Sequence, residues 1–187
     1  MRLLLLSGLA LSLLAQTTFS RQATAAEPLF VGAATIDITP PEGYRMSGYF
    51  YERLNEGTKD PLQAKALYFG QGETEAILIA CDLIGMELQV TQTARRRISE
   101  QTGIPVQHIA ISATHSHTGP LYFGALRNRF HEVAVQEKGE DTAEKVDYPA
   151  FLVKQLVDVS WKAVENRENS TLRAGYGHED RVNFNRR

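Results

Sequence analysis

The sequence predicts an α/β fold, with a mixed sheet that contains a right-handed β-α-β crossover and has helices packed on it. An apolar strand, a helical segment and a second apolar strand follow one another between residues 76 and 113, and this order requires a crossover between parallel strands. Residues 62–69 and 76–84 are joined by a short glycine-containing segment, which is typical of an antiparallel hairpin. Residues 148–166 carry apolar side chains along one side, as a helix packed on a sheet does.

The N-terminus has the pattern of a signal peptide. Arg2 provides a positive charge, residues 3–15 are almost all apolar, and residues 23–25 are the small residues that a signal peptidase needs. The apolar stretch is too short for a transmembrane helix. We therefore expect residues 1–25 to be a signal peptide and residues 26–187 to be a mature chain that is secreted or periplasmic.

The composition narrows the class of protein. The chain has 187 residues, which leaves enough for one domain after the signal peptide is removed. Its formal net charge is -2 and it has no basic patch, so we expect no nucleic-acid partner. The three arginines at 95–97 fall in a predicted helix and are interpreted as a solvated face. Cys81 is the only cysteine, which excludes an internal disulfide and fits a small buried thiol.

The first strand is predicted at residues 29–38, where β-branched residues alternate with small ones. Pro40 and Pro41 end it, because consecutive prolines cannot donate to a sheet. The loop that follows runs to about residue 60 and contains three consecutive aromatic residues at 49–51. These aromatics are interpreted either as a lip facing a substrate or as side chains packed against the domain.

The central part of the chain supplies the crossover. Residues 62–69 and 76–84 are the next two strands, and the second is apolar almost throughout, which is typical of a strand covered on both faces. Residues 87–101 are predicted to be a helix that ends at the glycine and proline within 102–105. The strand at 108–113 follows, and it should run parallel to the strand before the helix.

The C-terminal part is predicted to be less regular. Residues 127–146 are charged and lack a clear period, which predicts an exposed excursion, with or without a short helix. His131 is interpreted as facing solvent, and a role near the site is the alternative. Asp147 is predicted to cap a helix at 148–166. Residues 172–177 are predicted to form a further strand. His178 lies beside two acidic residues and is interpreted as part of a surface turn, with a metal ligand as the alternative.

The strongest candidate for a functional site is the pair His115 and His117. The pair follows the apolar strand at 108–113 and precedes the Thr-Gly-Pro sequence at 118–120, which breaks the backbone. Residues two apart in a strand project to the same side, so the two imidazoles are predicted to lie together. They would do so at the carboxyl end of a parallel strand, where α/β sheets usually bind ligands. The pattern indicates half of a metal site, and the alternative is a pair of loop histidines whose spacing is chance.

Three separated segments resemble the N-terminal part of the neutral (alkaline, non-lysosomal) ceramidases. They occur in the family's order at residues 31–40 (VGAATIDITP), 46–49 (MSGY) and 113–120 (ATHSHTGP). The resemblance extends from about residue 30 to the last residues of the sequence.

The resemblance implies a zinc-dependent amidohydrolase that hydrolyses the N-acyl amide of ceramide to sphingosine and a fatty acid. It implies that His115 binds zinc, that His117 contacts the substrate or the attacking water, and that Arg186 supplies an active-site arginine. The family's other zinc ligands, a later His, a Glu and a Tyr, and a serine implicated in catalysis would fall beyond residue 187. We therefore expect an incomplete catalytic domain that is inactive alone. The expected partners are ceramide or a related N-acyl lipid, a membrane surface contacted peripherally, and the remaining part of the catalytic domain.

Two other functions remain open from the residues. One is a hydrolase of the same fold that acts on another amide or ester, and the other is a non-catalytic exported module that binds metal or a partner. Metallo-β-lactamase-type hydrolases and barrel amidohydrolases also use His-x-His. The metallo-β-lactamase type fits less well because its pair is followed by x-Asp-His, whereas Thr-Gly-Pro follows the pair here at 118–120. The barrel type fits less well because its pair lies on an early first strand, whereas the pair here ends about the fourth strand.

Overall fold

The computed structural model describes residues 27–181. The predicted signal peptide at 1–25 and the predicted site residue Arg186 lie outside the described residues. Within them, five strands form one sheet in the order β4-β3-β2-β1-β5. The strands are β1 Leu29–Asp37, β2 Gln63–Gln71, β3 Thr74–Cys81, β4 Ile109–Ala113 and β5 Glu168–Ser170. The α-helices are α1 Leu88–Thr102, α2 Gly124–Lys138 and α3 Tyr148–Glu165.

The sheet is mixed, as predicted. β1 pairs antiparallel with β2 and with β5, and β2 pairs antiparallel with β3. β3 and β4 are parallel and are connected through α1, which confirms the predicted crossover unit. No helix among the described residues is long and apolar enough to cross a membrane.

The core lies between one face of the sheet and the helices α1 and α3. On β2, the side chains of Ala64, Ala66 and Tyr68 are buried, whereas Lys65 and Leu67 on the other face are exposed. α3 packs on β1 and β2, and α1 packs on α3 and β4. α3 approaches β1 so closely that a Cβ at Gly32 would lie 1.9 Å from the carbonyl oxygen of Ala163.

The predicted apolar stripe of α3 is largely confirmed. Asp147 caps the helix as expected, since its side chain accepts a hydrogen bond from the Ala150 amide at 3.0 Å. The sequence places six apolar residues on this stripe, and all but Phe151 are buried: Tyr148, Leu152, Leu156, Val159 and Ala163. Phe151 is exposed instead, because it lies at the margin of the buried stripe beside Tyr148.

β3 was expected to be covered on both faces, and this expectation is wrong for the described residues. Ile77, Ile79 and Cys81 point into the core, but Leu78 on the other face is 47% exposed. Leu78 lies directly opposite the exposed Leu67 of β2. The apolar run along β3 therefore reflects one covered face and one apolar face on which no described helix packs.

The excursion predicted at residues 127–146 is mostly the helix α2, which spans 15 residues. α2 has no buried residue, so no apolar period marks it in the sequence. Gly139 ends it in a left-handed conformation and donates to the Val135 carbonyl. Sequence periodicity detects packed helices, and it missed this one because its side chains are not packed into the core.

The strand predicted at 172–177 is wrong in position. The chain leaves α3 and pairs with β1 at once, so the strand is β5, Glu168–Ser170. Ser170 lies opposite Leu29, the first residue of β1. β5 stops there because the antiparallel register has run off the end of its partner.

Candidate active site

The two histidines lie where the parallel pair of strands ends, as predicted. After β4, the Thr114 amide donates to the Cys81 carbonyl at 2.9 Å and the Ser116 amide donates to the Leu83 carbonyl at 3.0 Å. These bonds carry the loop alongside the chain that leaves β3. His115 and His117 are consequently held at the carboxyl edge of the sheet, the edge at which α/β folds usually bind ligands.

A turn, and not a strand, brings the imidazoles together. β4 ends at Ala113, and His115 has a φ of 66°, the only positive φ among the described residues that are not glycine. The prediction that the rings meet is confirmed, but its stated reason, alternation along a strand, is wrong. The Nε2 atoms of His115 and His117 are 3.2 Å apart and the ring centroids are 4.9 Å apart. A non-glycine residue in the left-handed region is strained, and such strain is concentrated at functional sites.

The tautomer of neutral His115 follows from its hydrogen bond. Its Nδ1 lies 2.9 Å from the carbonyl oxygen of Ile84. A carbonyl oxygen can only accept, so Nδ1 carries the proton and the lone pair of the neutral ring is on Nε2. Metal-binding histidines are commonly oriented in this way, with the second nitrogen donating to a backbone carbonyl.

The donor set of the pair fits a zinc ion. Two nitrogen ligands of a tetrahedral zinc, each at its usual bond length, lie roughly 3.3 Å apart, close to the 3.2 Å between the two Nε2 atoms. The same distance also suits a hydrogen bond donated by His117 to the Nε2 lone pair of His115. A catalytic zinc usually has three protein ligands. The described part of the chain brings together two imidazoles here.

A small apolar cavity adjoins the histidine pair. It has a volume of about 260 Å³. Its lining comprises the two histidines together with Ser47, Gly48, Tyr49, Phe50, Ile84, Leu121 and Leu126. A larger cavity of about 760 Å³, lined by Met46 and residues 52–59, includes neither histidine. The smaller cavity is the relevant one, because it is the one that places apolar surface beside ligand-type nitrogens.

Two of the three aromatic residues at 49–51, Tyr49 and Phe50, line this cavity. The rings of Tyr49 and Tyr51 are 5.7 Å apart, and the guanidinium of Arg53 lies 4.2 Å from the centre of the Tyr49 ring. Phe50 lines the cavity and is 97% exposed. Of the two interpretations of these aromatics, the exposure of Phe50 favours a lip over packing against the described part of the domain.

A buried arginine ties this loop to the segment that follows α2. Arg45 is 1% exposed, and its guanidinium pairs with Glu52 at 2.6 Å, Asp141 at 2.6 Å and Glu144 at 2.9 Å. Burial alone would lower the pKa of Arg45, but the hydrogen bonds to Asp141 and Glu52 raise it overall. Sequence reasoning missed this network, because Arg45 and Asp141 are 96 positions apart and no short motif connects them.

His131, Asp141 and Glu144 have the donor atoms to hold a metal ion, since one ligand atom from each lies within 4.8 Å of the others. His131 is about two-fifths exposed and its Nδ1 is 2.7 Å from Asp141, so the prediction that it faces solvent is only half right. Both carboxylates, however, already pair with Arg45, and Glu144 also pairs with Arg127. A cation here would be repelled by two guanidinium groups, so the cluster is better explained as an ion-pair network.

The two other residues considered for the site are His178 and Arg186. His178 is 89% exposed and lies 3.9 Å from Asp180, which confirms the predicted surface position, but residues 171–180 form no turn. Arg186 is outside the described residues, so its role stays a prediction. The separate roles predicted for His115 and His117 also stay predictions.

No family model and no curated protein matches the chain. Among solved structures, the neutral ceramidase from Pseudomonas aeruginosa matches with a TM-score of 0.60 and 19% identity, covering 78% of this chain and 23% of that chain. A ceramidase complexed with C2 matches with a TM-score of 0.58 and 19% identity, covering 76% and 22%. The chain thus spans less than a quarter of the length of these structures. At this identity the likeness shows the fold, and in fold the chain is like part of a neutral ceramidase.

Proposed function

We propose that this chain supplies the histidine side of the active site of an exported zinc-dependent amidohydrolase of the neutral ceramidase type. Its reaction is hydrolysis of the N-acyl amide of ceramide, or of a related N-acyl lipid, to sphingosine and a fatty acid. The convergence of the His115 and His117 Nε2 atoms, in a fold like that of neutral ceramidase structures, carries the proposal. The remaining part of the catalytic domain would complete the site.

His115 is proposed to hold the zinc ion through Nε2. Its Nδ1 is already committed to the Ile84 carbonyl, so the ring is oriented before any ion arrives and only Nε2 is free to bind. When bound, zinc would supply Lewis-acid polarisation of the amide carbonyl and a lowered pKa of bound water.

His117 is proposed to handle a proton at the reacting amide. Its Nε2 lies 3.2 Å from that of His115, within reach of a group held beside the same metal. An imidazole there can donate to the carbonyl oxygen as negative charge develops, or accept a proton from the attacking water. Arg186 is proposed to add a second, charge-assisted donor to that oxygen.

The apolar cavity is proposed to orient the lipid. An N-acyl lipid carries long apolar chains next to its amide, and Leu121, Leu126 and Phe50 provide apolar surface next to the histidines. Phe50 at the rim, 97% exposed, is suited to peripheral contact with a membrane surface, where aromatic side chains are favoured. Export is part of the proposal, and N-terminal sequencing of secreted material should give a chain beginning near residue 26.

The experiment is an assay of zinc content and hydrolysis of a short-chain ceramide by the protein together with the remaining part of the catalytic domain. His115→Ala should abolish both, because it removes the anchored ligand. His178→Ala is the matched control, an exposed histidine that should leave both unchanged. Full hydrolysis by His115→Ala would refute the proposal. Zinc-dependent hydrolysis of other amides or esters, without hydrolysis of ceramide, would show that the substrate is a different amide or ester. The absence of both zinc and hydrolysis would favour a non-catalytic module.

A further inference from the structure

Gly48 lies closer to His117 than any residue with a side chain can. A Cβ at this position would lie 2.5 Å from Cβ, 2.7 Å from Cγ and 2.8 Å from Nδ1 of His117. Carbon atoms that are not bonded prefer separations of about 3.5–4.0 Å. The backbone of Gly48 also has a φ of +93°, a conformation that glycine adopts without strain.

The backbone at Gly48 is not free to move away from His117. The preceding residue, Ser47, is buried, and both its amide and its hydroxyl donate to the Gly119 carbonyl, at 2.8 and 2.9 Å. One residue earlier still, Met46 forms a bridge with Pro120, and the Arg45 carbonyl accepts from the Leu121 amide at 2.8 Å. The segment 45–47 is therefore fastened to the chain that follows His117.

His117 is the partner that would give way. Its side chain is exposed, and its one hydrogen bond within the described residues joins Nε2 to Nε2 of His115. The closest atom to the added Cβ is the Cβ of His117, so rotating the ring cannot relieve the overlap. The backbone around His117 would have to shift and carry the imidazole with it. His115 would stay, because the Ile84 carbonyl holds its ring.

We infer that Gly48 is a positioning residue for the histidine pair. By presenting no side chain, it lets the His117 imidazole lie against the loop and so sets the 3.2 Å separation of the two Nε2 atoms. Its consequence for zinc rests on the proposed function, whereas its effect on the distance between the two rings does not.

Gly43 provides a matched control within the same loop. It also has a positive φ, +82°, so alanine there suffers a comparable backbone strain. A Cβ at Gly43 would meet nothing within 4 Å. Comparing Gly48→Ala with Gly43→Ala therefore separates contact with His117 from backbone strain.

The test uses the full chain with isotope-labelled histidine, first without metal. Nuclear Overhauser contacts between the His115 and His117 rings should be present in the parent chain and in Gly43→Ala and lost in Gly48→Ala. Zn²⁺ is then titrated and the histidine ring signals are followed. Gly48→Ala should need at least tenfold more Zn²⁺ for half-saturation than the parent, and Gly43→Ala should stay within about twofold of it.

A second pair of variants covers the case in which Gly48→Ala folds poorly. His117→Ala is unsuitable because it keeps the Cβ that the new side chain would strike, so His117→Gly is used. Gly48→Ala should lower the urea midpoint of unfolding more than Gly43→Ala does in the parent, and this excess should disappear in the His117→Gly background. Persistence of the excess would overturn the inference and assign the cost to the backbone.

The outcomes separate this inference from the proposed function. Ring contacts that survive in Gly48→Ala, or that are lost equally in Gly43→Ala, overturn the inference. Zn²⁺ affinity that survives while the contacts are lost also overturns the assigned consequence for the metal. If the parent chain, supplemented with the remaining part of the catalytic domain, shows no response to Zn²⁺ and the contacts still depend on Gly48, the inference stands and the proposed zinc function fails.

Discussion

At the scale of single residues, the candidate site depends on how two neighbouring histidines are held. The spacing of His115 and His117 after an apolar strand predicted that the rings would meet. They meet because His115 adopts a φ of 66° and because its ring is held by the Ile84 carbonyl. Neither feature can be read from sequence, since a strained backbone conformation is imposed by contacts distant in the chain. The close contact of Gly48 with His117 was hidden for the same reason.

The unequal anchoring of the two histidines leads to a prediction. In a protein containing the whole site, His115→Ala should lose more zinc than His117→Ala. His115 is oriented by its hydrogen bond to the Ile84 carbonyl. Among the described residues, the one hydrogen bond of the His117 side chain is with His115 itself. Zinc measured by atomic absorption on the purified variants decides this.

His108→Ala serves as the control for that measurement. His108 is also exposed and its Nδ1 also lies near a backbone carbonyl, that of Glu75 at 3.0 Å, but it lies at the opposite end of β4. Its removal should leave the zinc content unchanged. Equal loss of zinc in both site variants, or loss only in His117→Ala, would show that the roles are shared or reversed.

At the scale of elements, the parts that pack against the sheet were predictable and the parts that do not were missed. α1, α3 and β1 to β4 were located within a few residues, because each places apolar residues in the core and the sequence shows those residues as a stripe, an alternation or a run. α2 was missed because it has no buried residue. β5 was misplaced because it has three residues, and their pairing depends on where β1 begins. The segment after α2 is instead held by charge, through Arg45 with Asp141 and Glu144.

This network predicts that acid weakens the fold. Burial alone would raise the pKa of Asp141, but hydrogen bonds from Arg45 and His131 outweigh it and lower the pKa below the ordinary value of 3.8. A carboxylate whose pKa is lower in the folded state stabilises that state above its unfolded pKa, and loses this contribution as pH falls through its folded pKa. The free energy of unfolding should therefore decrease below about pH 5, and Asp141→Asn should flatten this dependence.

The control for Asp141 is an ion pair on the surface. Asp158 pairs with Lys154 at 2.5 Å, but both side chains are exposed. Asp141→Asn should lower the free energy of unfolding at pH 7 by about 2 kcal/mol, because it weakens hydrogen bonds to a charged group. Asp158→Asn should change it by at most about 0.5 kcal/mol. Urea unfolding at several pH values measures both, and equal effects of the two variants would contradict a stabilising role for the buried network.

At the scale of the whole molecule, the mixed sheet and its crossover were predicted correctly, and the match to neutral ceramidase structures agrees with them. What the sequence did not predict is that one face of the sheet is left uncovered by the described helices. Leu67 and Leu78, directly opposite one another on that face, are 42% and 47% exposed. Adjacent exposed leucines on a sheet are suited to packing against further protein. The site also indicates packing against further protein, because it brings together two imidazoles whereas a catalytic zinc generally has three protein ligands.

The last prediction is that residues 26–187 alone bind Zn²⁺ weakly and do not hydrolyse ceramide. Two imidazoles leave half of a tetrahedral coordination shell to water, and the His131, Asp141 and Glu144 group is neutralised by Arg45 and Arg127. Adding the remaining part of the catalytic domain should raise the Zn²⁺ affinity by at least about 100-fold, since coupled ligands bind with a high effective concentration. Competition with a chromophoric chelator measures the affinity, and release of fatty acid from a short-chain ceramide measures turnover. Tight one-to-one zinc binding with turnover by residues 26–187 alone would contradict the prediction and require a complete site within them.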